Sequence, residues 1–508
     1  MPVAFLLRAA GMRASLIHRL ALTTGFSYPA VPSYTVRQPT CDNEQCPMRN
    51  FSFFNHKPLS GFQTFLVIWA GQFVSSMGTG MTRFVLLIWA YQETGSATTL
   101  ALLGFFSWLP FVLISPFAGV WVDRLDRRKV LILADLGSGC MTILLLFFFW
   151  RGELAIWHIY LLEGMTSVFD AFQAPASTTI TSVLLAKHQY ARASGLRPLA
   201  LDTTRIVAPM AGGALLIWIG VDGVMLIDVI TFLFAVGTLL LVPLPPVLDQ
   251  LRNRTPEPFQ HQLSFGFRYI FSRKGLLGIM LIFRGIEFCA ALTYFSVMPA
   301  MILARSGGDE VSLGFVQAML GGAGIVGGLV ITIWGLPRRK IHAIFGFCAI
   351  SFLGGDLLFA IGQSLPVWLL AAAVAAFFIP FIGGADRTIW QSKVPPAIQG
   401  RVFSVSGMFR NGVKPLGYLL AGPLADRIFE PALRDGGSWV PALGWLVGSG
   451  PGAGIGAMFL FTALGGCLIS ASGYLFAATR NVEDDLPDHD EVPAAHASSL
   501  ATTEAGAT

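Results

Sequence analysis

The chain has 508 residues, of which 54% are hydrophobic and only 12% charged, with a mean hydropathy of +0.64 and a formal net charge of +5. Soluble domains carry about 25% charged residues, so this chain cannot coat two or three of them, which argues against a soluble enzyme, a nucleic-acid binder or a disulfide scaffold. Its 55 Gly and 41 Phe suit lipid-facing helices packed closely together.

The N-terminal segment 1–60 holds Arg8, Arg13 and Arg19 and no acid before Asp42. Its apolar run at 3–10 is broken by Arg8 and makes a poor signal peptide. A cytoplasmic, disordered tail is expected, and Met48 offers an alternative start. Cys41 and Cys46 have no second pair to complete a metal site, and Cys140, Cys289, Cys348 and Cys467 lie in apolar stretches.

A bilayer core takes about 20 apolar residues per helix. Twelve such windows follow in chain order, near 62–91, 99–122, 129–150, 155–185, 194–219, 222–243, 275–303, 312–335, 342–362, 366–392, 400–425 and 452–477. Trp89, Tyr91, Trp150 and Trp157 sit near window ends, as an interfacial belt requires. The basic residues choose a side. Arg124, Arg127, Arg128 and Lys129; Lys187, Arg192 and Arg197; Arg252, Arg254, Arg268, Arg273 and Lys274; Arg338, Arg339 and Lys340; and Lys393 and Arg401 fall in loops on the side of the termini. Only Arg151, Arg305, Arg427 and Arg434 fall in the others. The bias puts both termini in the cytoplasm.

The polar stretch 244–273 divides the windows into six (61–243) and six (274–477). Ala176-Ser-Thr-Thr-Ile180 matches Ala385-Asp-Arg-Thr-Ile389 at a shift of 209, which also pairs Arg192 with Arg401 and Arg205 with Lys414. Such internal symmetry marks transporters built from duplicated bundles. The expected fold is an all-α membrane protein of twelve transmembrane helices in two pseudo-symmetric six-helix bundles. The tail 478–508 is acidic, then rich in Ala, Ser and Thr, and is expected to be disordered.

The strongest motif is Gly119-Val-Trp-Val-Asp123-Arg124-Leu-Asp126-Arg127-Arg128-Lys129, between the second and third spans. Gly119 permits close helix contact, and Asp123 can face a neighbouring helix N-terminus or basic side chains. A positive-inside loop alone explains the basic residues but not the Gly-xxx-Asp-Arg spacing. The motif resembles the loop signature of the major facilitator superfamily. Its second-half counterpart, Gly335-Leu-Pro-Arg338-Arg339-Lys340, keeps the basic end and lacks the acid. Gly195, Thr204, Ala208, Pro209, Gly212 and Gly213 resemble the fifth-span pattern of drug/proton antiporters in that superfamily, a tightly packed and kinked helix. Phe172-Gln-Ala-Pro175-Ala176, Arg192-Ala-Ser-Gly195, Ile389-Trp-Gln-Ser-Lys393 with Gly400-Arg401, and Leu419-Leu-Ala-Gly-Pro-Leu-Ala-Asp426 resemble the enterobactin-exporter and macrolide-efflux-like branch. The resemblance covers about 61–477 and implies alternating access.

Charges inside spans are Arg83, Arg205, Arg284, Arg387, Arg410 and Lys414 against Glu163, Asp170, Asp202, Asp228, Glu287, Asp356 and Asp386. Each costs about 2.5–3.5 kcal/mol at mid-bilayer on insertion scales, so each needs a partner or a wet cavity. The resemblance implies that spans 1, 4, 7 and 10 line that cavity. They supply Gln72, Arg83, Glu163, Asp170, Gln173, Arg284, Glu287, Asp386 and Arg387 as the substrate and proton site. Glu163 and Asp170, seven apart, share a helix face. Arg83 and Glu163 lie at similar depth and can meet. Arg284 and Glu287, three apart, can pair with each other. Arg410 and Lys414 share a face and need an acid such as Asp386 or Asp356. Asp170, with Arg205 as its nearest relief, is expected to carry the proton, and Glu287–Arg284 to act as a substrate-side or gating pair. The alternative is that such pairs only hold helices together.

The glycine run from Gly448 to Gly456 is not a phosphate loop, because no strand precedes it and Pro451 interrupts it. The eight His are scattered, so neither metal nor cofactor is expected. The reading is a monomeric secondary transporter in the cell membrane, exporting a small amphipathic molecule against protons. It contacts membrane lipid and no nucleic acid. An uptake permease of the same fold is the alternative, and a polytopic membrane enzyme or lipid-handling protein ranks below both.

Overall fold

The side chains of Ser96, Asp126 and Asp309 cap helix starts in this largely apolar chain, of which the computed structural model describes residues 61–185, 189–242, 259–395 and 398–488. After α1 (Gly61–Thr94), Ser96 caps α2 (Ala97–Arg124), its Oγ accepting from Thr99 N at 3.4 Å. Asp126 caps α3 (Arg127–Trp150) through the N–H groups of Arg128 and Lys129. Next come α4 (Ile156–Leu184) and α5 (Tyr190–Leu241). α5 breaks at Gly220, where φ is 70° and ψ −178°, so it carries both the fifth and sixth expected spans. The second half begins with α6 (Phe259–Ser272), α7 (Lys274–Leu292), α8 (Met298–Ser306) and α9 (Glu310–Trp334), the last capped by Asp309. α10 (Lys340–Ile350) runs through a π-helical turn (Ser351–Asp356) into α11 (Leu357–Ile361), followed by α12 (Leu365–Phe377) and α13 (Ile379–Lys393). α14 (Gln399–Leu424) continues through a second π-helical turn (Ala425–Phe429) into α15 (Glu430–Leu433). α16 (Val440–Val447), α17 (Ala453–Leu475), α18 (Ala477–Arg480) and α19 (Val482–Asp485) close the chain's described part. No strand occurs among the described residues.

Nine helices among the described residues are long and apolar enough to cross a membrane, α5 counting once despite its break. The expected spans at α4 and α14 fall short of that measure. They carry Glu163, Asp170 and Gln173, and Arg410 and Lys414, polar side chains that face the interior. Outward, Leu133, Trp218, Leu241, Ile333, Trp334 and Leu468 are widely exposed. Apolar surface of this kind belongs against lipid, and the chain is a multi-pass membrane protein.

The helices define two ends. The terminal end carries the chain near 61, the 124–127 and 336–339 connections and 476–488; the distal end carries 94–97, 151–155, 307–309 and 434–452. At the distal end one apolar core runs through both halves, from Phe84, Ile88, Leu100 and Met225 to Met301, Phe359, Ala457 and Phe459. At the terminal end there are two separate cores. One holds Phe65, Val122, Leu131, Ile180 and Leu239 of the first half, the other Ile279, Ile344, Ile389, Val402 and Val482 of the second. Across the halves α2 packs on α14, and α5 on α9.

Two expectations change. The stretch 244–273 is not wholly a polar linker: α6 packs on α14, with Ile270 fully buried and Phe267 edge-on to Phe409. The tail is folded from 477 to 488, because its acids find basic partners at the terminal end. The segments 1–60, 243–258 and 489–508 lie outside the described residues.

Candidate functional site

Three polar layers fill the interior of the first half. Seven residues apart on α4, Glu163 and Asp170 both face Arg83 of α1. Arg83 Nε lies 3.3 Å from Glu163, and its Nη2 donates to Asp170 Oδ2 at 3.3 Å. Ser107 Oγ of α2 donates to Glu163 Oε2 at 3.2 Å. The expected Arg83–Glu163 meeting is present. Asp170, however, takes Arg83 and not Arg205, which is a correction: the α1 guanidinium is long enough to bridge both acids on the facing helix.

One layer toward the terminal end, Gln72 Nε2 donates to Asp135 Oδ2 at 2.7 Å, and Gln173 Nε2 donates to the other oxygen of Asp135 and to Gln72 Oε1. Asp135, on α3, is 6% exposed. The sequence reading passed it over because it sits six residues after Lys129, where it looks like part of a polar helix end. The two in-span glutamines Gln72 and Gln173, each needing an acceptor inside the bilayer, are the available signal. Between these two layers, Asp228 is buried and accepts from Thr79 Oγ1 (3.0 Å) and Thr142 Oγ1 (3.3 Å), which ties α1 and α3 to the second part of α5.

In the second half, α7, α10, α13 and α14 enclose a cavity of about 430 Å³. Glu287, Asp356, Asp386, Arg387, Arg410 and Lys414 line it beside Phe283, Tyr294, Phe295, Phe352, Trp390 and Phe403. Glu287 pairs with Lys414 Nζ at 4.0 Å. It does not pair with Arg284, a further correction. The Arg284 side chain turns back along α7, its Nε donating to Met280 O at 3.4 Å, and lies buried off the cavity wall. Lys414 also stands 4.5 Å over the Trp108 ring of α2, a cation–π contact that crosses the halves. Trp390 Nε1 donates to Asp386 Oδ1 at 3.1 Å. Asp356 Oδ2 is buried and accepts no hydrogen bond. The paired acid that Lys414 requires is therefore Glu287 rather than Asp386 or Asp356.

The loop motif is placed in part. Arg128 Nη2 donates to the carbonyls of Leu239 (3.1 Å), Leu240 (3.4 Å) and Val242 (3.3 Å), capping the end of α5. Lys129 is exposed. A Cβ at Gly119 meets nothing within 4 Å, so close helix contact there is not what this arrangement requires. The side chains of Asp123, Arg124 and Arg127, and Gly195, lie outside the described residues. In the fifth-span motif, Gly212 abuts Met81 of α1, Gly213 abuts Phe84 and Glu310, and Pro209 O faces Gly314 of α9. That motif thus joins α5 to α1 and, across the halves, to α9.

The distal end is closed by polar contacts as well. Asp426 accepts from Ser96 Oγ (2.6 Å), Ala97 N (3.1 Å) and Thr98 N (2.8 Å), so a carboxylate after α14 caps α2 of the other half. Gln92 Nε2 donates to Glu310 Oε1 at 2.6 Å. Gly422 is needed beside this cap, since a Cβ there would fall 2.4 Å from Thr98 Cα. Among the described residues no group of three or more His, Cys, Asp or Glu could hold a metal ion.

A family model described as Major Facilitator Superfamily matches residues 68–418. Macrolide efflux protein A of Streptococcus pyogenes is 26% identical over 372 residues, covering 72% of this chain and 90% of that protein. Multidrug efflux pump Tap of Mycobacterium tuberculosis is 24% identical over 374 residues, covering 71% of this chain and 87% of its own. Among solved structures, a bacterial homologue of the iron transporter ferroportin in an inward-facing state superposes with a TM-score of 0.59 at 14% identity, over 81% of this chain and 100% of the other. A bacterial homologue of the lysosomal transporter Spinster, inward-facing and unoccupied, gives 0.59 at 16% identity, over 83% and 98%. The two structures bear on the fold alone.

Proposed function

The chain belongs to the major facilitator superfamily, and on that premise we propose that it exports small amphipathic molecules across the cell membrane by proton-coupled alternating access. The observation that carries this reading is the contrast between the ends: one core through both halves at the distal end, two cores at the terminal end. With both termini cytoplasmic and twelve crossings in two six-helix bundles, that contrast is an inward-facing state. The relatives named as efflux proteins support the direction.

The cavity of about 430 Å³, walled by aromatics with a few charges, takes the substrate. The Arg83–Glu163–Asp170 cluster takes the proton. A proton arriving at Asp170 cancels its charge and releases one arm of Arg83, which leaves Glu163 as the remaining partner. Lys414 links the two systems, because it touches Glu287 in the cavity and Trp108 across the halves. The chain works as a monomer, with lipid around its apolar surface.

The test is transport of erythromycin and ethidium into everted vesicles. An inside-acid gradient is expected to drive accumulation of at least one. Accumulation that ignores the gradient overturns proton coupling, and movement only in the opposite direction makes the chain an uptake permease. Cysteine at position 222 should label from outside intact cells and cysteine at position 338 should not; the reverse pattern overturns the topology.

A further inference from the structure

The second half has a basic loop, Arg338-Arg339-Lys340, without the acid its first-half counterpart holds at Asp123. Acids reach it from the end of the chain. Glu483 Oε1 lies 3.4 Å from Lys340 Nζ, and Glu483 Oε2 accepts from Ile341 N at 3.0 Å, in the first turn of α10. A carboxylate there also meets the positive end of the helix dipole. Asp484 Oδ2 lies 3.4 Å from Arg339 Nη2. That pair is more than half exposed on both sides and adds little.

Lys393, the last residue of α13, is different. Its side chain is 5% exposed. Its Nζ donates to Glu483 O at 2.7 Å and to Leu486 O, and pairs with Asp488 Oδ1 at 3.0 Å. Three donors thus meet three acceptors on one short segment. Val482 of the same segment is fully buried, packed on the start of α7 where a Cβ at Gly275 would fall 2.8 Å from it. Segment 482–488 therefore binds the terminal ends of α7, α10 and α13 together. The first half does the equivalent with Arg128 on the bare carbonyls at the end of α5. In both halves a basic loop is tied to the chain just at or beyond the half's last long helix.

α13 also carries Asp386, Arg387, Trp390 and Gln391 of the cavity wall. We propose that segment 482–488 is a strap that sets the position of this cavity-lining helix, with Lys393 and Glu483 as positioning residues. Removing it strands a buried ammonium, which is far costlier than losing a surface ion pair. The end of α13 then moves independently of α10.

The test uses spin labels at positions 338 and 391, at the ends of α10 and α13, in the protein held in nanodiscs; it needs no transported substrate. A reference pair at 129 and 241 reports the first half. The full chain and a chain ending at Asp488 are expected to give one narrow 338–391 distance. A chain ending at Asn481, and the full chain with Lys393→Met, are expected to lose that narrow distance while the reference pair stays unchanged. The point variant decides the matter if the shortened chain does not fold. A narrow 338–391 distance without the strap overturns the proposal. So does broadening of both pairs together, which would make the segment a support of the whole fold and not of α13.

Discussion

Asp426→Ala tests the closure of the distal end. The carboxylate accepts three hydrogen bonds from the first turn of α2, at 2.6, 2.8 and 3.1 Å, from the opposite half of the molecule. Losing an N-cap costs about 0.5–2 kcal/mol, and hydrogen bonds to a charged group contribute about 1.5–3 kcal/mol. The net loss to the closed state is then about 2 kcal/mol, since water takes over part of the donors' demand. In a state open at the distal end, Asp426 and α2 are apart, and the substitution removes nothing there. The whole difference therefore appears as a shift between states, of roughly 30-fold at 1.4 kcal/mol per decade. Ser96 still caps α2 through Thr99 N, so the helix itself does not fray. Asn retains one acceptor and is itself a good cap, so Asp426→Asn should fall between wild type and Ala. Pulsed EPR between labels at positions 93 and 435 reads the opening directly. An Asp426→Ala distance distribution identical to wild type would refute the argument, and so would an Asn variant more open than Ala.

Asp170→Asn should abolish accumulation driven by a pH gradient and leave substrate exchange without a gradient in place; full gradient-driven accumulation by the variant makes Asp170 structural. Asp135→Leu leaves the Gln72 and Gln173 amides without their acceptor and should lower the unfolding temperature more than Asp135→Asn, at about 1–3 kcal/mol per unsatisfied group; equal thermal stability of the two variants counts against this network. Arg128→Ala frees three carbonyls at the end of α5 and should widen the distance between labels at positions 129 and 241. For Asp488, the hydrogen bond from Lys393 holds its carboxyl below the ordinary 3.8. Its contribution is thus fully present above the unfolded value and is lost as pH falls through the lower folded one. The 338–391 distance should stay constant from about pH 8 to pH 5 and change only below about pH 4; a change near neutrality would show that another group controls the strap.

Most spans and the polar faces were legible in the sequence because each depends on neighbours a few residues away. The helix caps at Ser96, Asp126 and Asp309 are equally local, yet it is the structure that identifies them. Apolar length alone marks most spans, and seven-residue spacing puts Glu163 and Asp170 on one face. What spacing cannot give is which neighbouring helix that face meets. Arg284 and Glu287 share a helix, yet Glu287 finds Lys414, because the Arg284 side chain turns back along its own helix while α14 brings an ammonium across the cavity. Asp135 joins two glutamines from other helices, one of them 63 residues away. Asp426 caps a helix begun 330 residues earlier. The acidic tail is expected to be disordered by composition, yet its described part, 482–488, is folded in place, since Lys393 and the α10 N-terminus supply what its charges lack locally. Local geometry decides where polar groups point. Only the packing of one helix on another decides which of them are satisfied, and in a membrane interior without water that choice builds the site.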